Sequence, residues 1–358
     1  MPGLPVASTP VGISASRGAA ILGLSEFQSP LEVWQLLCEE RTPGFNAVRG
    51  YTLPEHKDSA PLRWGKAFEP AVIALAEEAL ESRIDSREAA FYLDFKGLEH
   101  DNPAAGPITC HIDGWYRSPD LGEATPLHEG KTTSLFPFRE KWGPEGTDKI
   151  PVSYAVQTQH QLACTGAELD IVSVLVFPET PDKFEELGWQ VVKNGLDEWC
   201  VSRDSIACRP CYDWADVFRD IGNFHQYPVP ANRDAQRGLL DAYRHFWDHN
   251  ILTGIEPEPR TYDDVKRLFP EPKKTIVCPP LIAGWFAEMK AIGEEIGEGG
   301  SMSKRKKRLA QITLDWARKQ DGTLDDESRT ATIFRDEAGK KLGQFAKQKN
   351  GVLVFRAS

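Results

Sequence analysis

Two stretches decide the fold of this chain: Ile108-Thr109-Cys110-His111-Ile112-Asp113-Gly114-Trp115-Tyr116 and, downstream, Pro126-Leu127-His128-Glu129-Gly130-Lys131. Both read as β-strands, and the Pro-, Gly- and Asp-containing residues between them read as a turn. Side chains alternate along a strand, so Glu129 and Lys131 share one face. If the two strands pair, Asp113, sixteen residues before Glu129, sits next to them. Two carboxylates beside an ammonium on one sheet edge repel or lose hydration unless something binds there. A hard divalent cation such as Mg²⁺ or Mn²⁺ suits clustered carboxylate and carbonyl oxygens. Such an ion would polarise a phosphodiester and lower the pKa of a bound water, with Lys131 orienting that water or stabilising developing charge. A bare Asp…Glu-x-Lys is nevertheless a weak pattern, because an exposed hairpin of mixed charges carries the same residues.

Working outward, the periodicity changes on both sides. Ser14 or Ser16 can cap a short helix that Gly23 ends, and Ser29-Pro30 starts a second helix with Leu31, Val33, Trp34, Leu37 and Cys38 on one face. A polar loop follows from Arg41 to about Pro61. Trp64 to Leu80 then has the 3- and 4-residue apolar spacing of a long amphipathic helix. Phe91-Tyr92-Leu93 adds a strand. Val152 to Thr165 reads as a helix ended by Gly166, and Asp170 to Phe177 as a buried β-branched strand. The expected fold class is therefore α/β (α+β), a central mixed β-sheet flanked by helices. Pro178 to His225 reads as an insertion, Asp234 to Asn250 as a helix, and Pro257 to Pro280 as an extended linker. Leu281 to Gln320 reads as two helices broken at Gly297-Glu298-Gly299-Gly300, followed by two paired strands. The expected domains are a core over 1–270, with 178–225 inserted, and a C-terminal helical and β-hairpin appendage over 271–358.

Three neighbours strengthen the acid–lysine pattern. Glu69 falls on the helical face of Val72, Ile73 and Ala76, a face that a purely solvated glutamate would avoid. Tyr154, Gln157, Gln159 and Gln161 place polar groups on an otherwise apolar helix. Ser14-Ala15-Ser16 at a helix start offers hydroxyls and free N–H groups that suit a phosphate.

Composition bounds these readings. The 358 residues carry 42 basic and 53 acidic side chains, a net charge of −11, so the chain does not coat nucleic acid by bulk charge. That balance leaves room for an enzyme whose acids hold metal at one spot. The apolar stretch Ile171 to Phe177, broken by Ser173, is far short of the roughly 20 residues a membrane span needs. No secretory signal is read at the N-terminus, and seven scattered cysteines suggest reduced thiols in the cytoplasm. Cys200, Cys208 and Cys211, with His225 nearby, form C-x7-C-x2-C; a single C-x2-C is common by chance, so free thiols are expected rather than an iron–sulfur or zinc site. Lys304-Arg305-Lys306-Lys307-Arg308 is a basic run that reads first as a solvated helix face and second as a contact for a DNA backbone. Trp64, Trp115 and Trp142 read as core rather than as base-stacking rings. His111, His128 and His160 flank the acids, and alternation puts His128 on the face opposite Glu129.

Taken in order, GISASRGAAILGLSEFQSPLEVW, WGKAFEP, HIDGW, LHEGKT, IPVSYAVQTQHQLACTG and FWDHNILTGIEPEP resemble the YqaJ-like viral recombinase family. Its members are relatives of phage lambda exonuclease within the PD-(D/E)xK nuclease superfamily. The resemblance covers roughly residues 11–177 and 225–270. It implies that Glu69, Asp113 and Glu129 hold metal ions, that Gly130 adds its carbonyl, and that Lys131 is the catalytic lysine. Gln157 matches the glutamine on the helix behind the site. Ser14-Ala15-Ser16 matches the segment that grips a 5′-phosphate, with Ser16 the best single candidate; the arginine that precedes this serine in lambda-like members has no counterpart in Ala7–Val11, and Arg17 could substitute for it. The activity implied is a metal-dependent exonuclease acting at duplex DNA ends, 5′→3′, for phage-type recombination. A homotrimer and a single-strand annealing protein are the implied partners. Two alternatives stay open: a Cas4-like or endonucleolytic nuclease, and a non-catalytic module that binds DNA ends.

Overall fold

In the computed structural model, the structure describes residues 12–52, 59–85, 90–100, 106–117, 125–203, 206–269, 273–295 and 301–358. The expected turn around 118–124, the Gly-rich break at 297–300 and the stretch before Gly12 lie outside them. The chain divides into two compact units. One comprises Thr9–Ser25 and Glu55–His249, the other Glu26–Pro54 and Asn250–Ser358.

The first unit is organised around a five-stranded mixed sheet in the order Phe224–Pro230, Leu169–Phe177, Leu127–Ser134, Gly114–Arg117, Arg83–Asp85. Leu127–Ser134 runs parallel to Leu169–Phe177, with Glu129 registered on Val172 and Lys131 on Val174. It runs antiparallel to Gly114–Arg117, where Gly114 faces His128 and Trp115 faces Leu127. The parallel pair needs a crossover. The helix Val152–Thr165 provides it, and Gly166 ends that helix in the left-handed region at φ 70°.

One face of this sheet carries the long helix Ala60–Ala79. Trp64, Phe68, Val72 and Leu75 pack there with Leu175, Phe177, Val201 and Phe218. The expected insertion thus acquires its own order: an antiparallel sheet of Trp189–Lys193, Trp199–Arg203 and Ile206–Pro210, followed by the helix Cys211–Asp220. On the opposite face Val172, Val174, Val176 and Tyr227 pack with Trp142 and Ile150.

One expected strand is two. Ile108–His111 belongs to a second, four-stranded sheet with Ile13–Ser14, Ala90–Leu93 and Glu99–His100, whereas Gly114–Arg117 joins the central sheet. The chain leaves one sheet and enters the other across Ile112-Asp113. Gly114 allows the close approach this needs: a Cβ there would lie 2.5 Å from Ile84 Cγ2 and 3.0 Å from the Asp85 carbonyl oxygen.

In the second unit, Ser29 and Glu32 form a capping box at the start of the helix Pro30–Arg41, as the Ser-Pro start foretells. Ser29 Oγ also donates to Asp264 Oδ1 at 2.6 Å. The expected linker over 257–280 is not one: Thr261 and Asp264 form a second capping box that starts the helix Tyr262–Leu268, and Thr275–Val277 is a strand. The terminal strands number three, Ala331–Arg335, Lys341–Lys347 and Leu353–Ala357, and pair with Thr275–Val277 in a four-stranded sheet. The helices Pro280–Glu295 and Ser301–Arg318 cover it around Phe286, Met289, Leu314, Phe334 and Phe345. Among the described residues, no helix is long and apolar enough to cross a membrane.

Candidate active site

Glu129 lies mid-strand in the central sheet and is 3% exposed. A buried carboxylate needs charge or donors around it. It has three. Lys131 Nζ contacts Oε1, Gln157 Nε2 donates to Oε1 at 2.5 Å, and Gln161 Nε2 donates to Oε2 at 2.6 Å. The strand places the lysine on the same face two residues on, as alternation requires. The crossover helix supplies both amides from positions four residues apart, one turn of the same helical face. Tyr154, one turn before Gln157, sets its ring 5.1 Å from Lys131 Nζ.

Asp113 lies just before the strand Gly114–Arg117, whose Gly114 is registered on His128, the residue before Glu129. The Gly130 N–H donates to Asp113 Oδ2 at 2.8 Å. Burial, then the Glu129 charge and more weakly that of Glu69, push the Asp113 carboxyl up to about 7, against the pull of Lys131 and the Gly130 N–H. For Lys131, burial pulls the pKa down, but Glu129 and Asp113 outweigh it and the ammonium ends above its ordinary value. His128 sits on the other face, bonded through Nδ1 to Tyr116 OH at 3.2 Å, and burial together with the Lys131 charge lowers it to about 4.

Asp113, Glu129, Gly130, Lys131 and Gln157 therefore come together. Glu69 does not share their burial. It is exposed, although it shares the helical face of buried Val72 and Ala76, three and seven residues on, and its charge is felt at Asp113. Ser14 lies on the short strand Ile13–Ser14, registered on Thr109, four residues before Asp113. Its Oγ is 3.1 Å from Ser16 Oγ, and Arg17 Nη1 donates to the Gly12 carbonyl at 3.3 Å. The helix Ala15–Ile21 sits close against the crossover helix and Tyr243, an approach that Gly18 permits.

Gln161, which the sequence places among the amides of this helix without a role of its own, turns out to hold Glu129. One residue at the site escaped the sequence altogether: Asp170, which is 0% exposed and has no hydrogen-bond partner among the described residues on either carboxylate oxygen. Burial, then Glu129 and Asp113, drive its pKa well above the ordinary carboxylate range. A lone acid at the start of a β-branched strand gives no pattern to read.

The donor set suits a hard divalent cation. Asp113, Glu129, the Gly130 carbonyl and Glu69 all offer oxygen, and the mutual repulsion seen at Asp113 is what such an ion offsets. As the side chains stand, no three His, Cys, Asp or Glu among the described residues are set to hold an ion. That includes the cysteines of the insertion: Cys200 and Cys211 are buried, Cys208 is exposed, and His225 pairs instead with Glu145.

These residues define an acid–lysine site on adjacent strands of a mixed sheet, backed by an amide-bearing helix. Residues 9–168 match the model of the YqaJ-like viral recombinase domain. Among solved structures, the chain is similar to an alkaline exonuclease from Laribacter hongkongensis, at 15% identity and a TM-score of 0.31, over 69% of this chain and 96% of that one. It is similar to the same exonuclease in complex with dAMP at 14% identity and a TM-score of 0.33, over 68% and 94%. It is also similar to a phage-related exonuclease from Haemophilus somnus at 12% identity and a TM-score of 0.35, over 69% and 98%. No curated protein matches the chain.

Proposed function

We propose that this chain is a metal-dependent DNA exonuclease that hydrolyses phosphodiester bonds at duplex ends, 5′→3′, in phage-type recombination. The observation that carries the reading is Glu129: a buried carboxylate held by Lys131, Gln157 and Gln161, with Asp113 bonded to the N–H of the next residue, Gly130. The family match over residues 9–168 supports it.

Asp113, Glu129, the Gly130 carbonyl and Glu69 would hold Mg²⁺ or Mn²⁺. When bound, the ion lowers the pKa of water and polarises the phosphodiester. The chain's own residues do the remainder. Lys131 keeps its proton, because the two carboxylates beside it outweigh its burial, and so presents a positive charge where the phosphate gains negative charge. Gln157 and Gln161 fix the two oxygens of Glu129 separately, so the carboxylate cannot rotate about its terminal bond. The ring of Tyr154 covers Lys131 on its remaining side. Ser14, Ser16 and Arg17 would hold the 5′-phosphate. A ring of three copies, a single-strand annealing partner and a cytoplasmic setting accompany this reading.

The test uses linear duplex with either 5′-phosphate or 5′-hydroxyl ends, with mononucleotide release followed in Mg²⁺. Wild type should release nucleotides, and Lys131→Ala should be slower by about 10²–10³-fold, the scale set by losing one preorganised charge at a reacting oxyanion. Release by Lys131→Ala at the wild-type rate would overturn the site assignment.

A further inference from the structure

The unit that contains the C-terminal helices holds a cavity of about 300 Å³, lined by Met289, Lys290, Gly293, Lys306, Phe355 and Arg356 among others. Its floor is apolar and its mouth is cationic. Lys290 comes from the helix Pro280–Glu295, Lys306 from the helix Ser301–Arg318, and Arg356 from the last strand, so three separate elements bring positive charge to one opening. Among the described residues none of the three is paired with an acid. Glu288 is already committed to Arg305, and Glu294 is exposed beside Gly293. The Lys306 ammonium lies over Gly293, 2.6 Å from where a Cβ would stand.

Three cations converging at one opening, in a chain of net charge −11, make a local positive spot that attracts an anion. The concave shape limits what that anion is. A duplex backbone presents phosphates to a flat or convex surface, whereas a single strand can turn one base into a cavity against Phe355 and Met289 and leave its phosphates at the mouth. We propose that this cavity binds single-stranded DNA, with one nucleotide seated in it and the flanking phosphates held by Lys290, Lys306 and Arg356. The basic run Lys304–Arg308 extends the same charge along the exposed helix face. The proposal rests on the nucleic-acid reading above, but on residues that take no part in the acid–lysine site.

The experiment titrates the full-length protein, in EDTA to prevent cleavage, against a fluorescent oligothymidylate of about 12 nucleotides, matching a typical single-strand site size. Fluorescence anisotropy is read over a range of salt concentrations. The comparison is between wild type and the triple variant Lys290→Gln, Lys306→Gln, Arg356→Gln, with thymidine monophosphate and a blunt duplex as competitors. All three side chains are exposed at the mouth, and circular dichroism checks that the variant is folded. We expect the variant to bind about tenfold or more weakly and its salt slope to fall by roughly 2, at about 0.7 for each single-strand phosphate that is no longer neutralised. In Mg²⁺, Lys131→Ala should lose nucleotide release whether or not the triple variant binds the oligonucleotide more weakly, so failure of the pocket and failure of the catalytic assignment register in different variants. Unchanged affinity in the triple variant overturns the proposal. So does a monophosphate that competes as well as the oligonucleotide, which would make this a site for free nucleotide. A duplex that competes as well as the single strand overturns it too.

Discussion

Replacing Gln161 by leucine tests whether the helix behind the sheet serves the chemistry or only the packing. Leucine keeps the volume and the helix propensity, so the crossover helix has no reason to move. What is lost is the 2.6 Å bond from Nε2 to Glu129 Oε2, in a place where Glu129 is 3% exposed and water cannot take over. A hydrogen bond to a buried charge is worth about 1.5–3 kcal/mol. If that energy holds the carboxylate in its working orientation, its loss appears as a rate reduced about 10- to 100-fold. The stability cost should be smaller, because Gln161 Oε1 has no hydrogen-bond partner among the described residues and leucine removes that unsatisfied acceptor while it strands Glu129 Oε2. Steady-state nucleotide release from linear duplex in Mg²⁺ separates the two effects. Gln161 acts through Glu129, so kcat should fall while KM stays close to wild type. A kcat within twofold of wild type, or a loss confined to KM, would refute the reasoning.

Two further predictions concern stability. Asp170 has a folded-state pKa well above that of the unfolded chain, so the folded state binds the extra proton. Its contribution worsens as pH rises from the unfolded pKa toward the folded one, at about 1.4 kcal/mol per pH unit. Asp170→Asn should remove that slope, so urea denaturation in EDTA should find the variant's advantage over wild type growing from pH 5 to pH 8; an advantage that does not change with pH would contradict it. Gly18→Ala should destabilise by about 1–3 kcal/mol despite the better helix propensity, because the new Cβ would lie 2.1 Å from the hydroxyl of buried Tyr243. An unchanged thermal midpoint would show that the two helices can separate freely.

Much of the first unit is legible in the sequence because its signals are local. Pro151 and Gly166 bracket the crossover helix, alternation fixes Glu129 against Lys131, and the β-branched run 169–177 can hardly be anything but a buried strand. What stayed hidden depends on tertiary contact. Ile108 to Tyr116 alternates without interruption, so nothing local says that the chain changes sheets at Asp113. Glu69 follows the helical period of its apolar neighbours, but where the apolar arc ends depends on what packs against the helix. The capping box of Thr261 and Asp264 was readable, yet the extended prolines around it dominated. The bond that ties Ser29 to Asp264 spans 235 positions, and no pattern within either segment announces it.

The change of sheet at Ile112-Asp113 has a mechanical consequence. Residue 111 moves with one sheet and residue 114 with the other, so the carboxylate between them reports any sliding of the two layers. The 2.8 Å bond from Gly130 to Asp113 spans that joint like a strain gauge. Substitutions far from the acids that shear one sheet against the other should therefore register at the site before they register in the stability of either sheet.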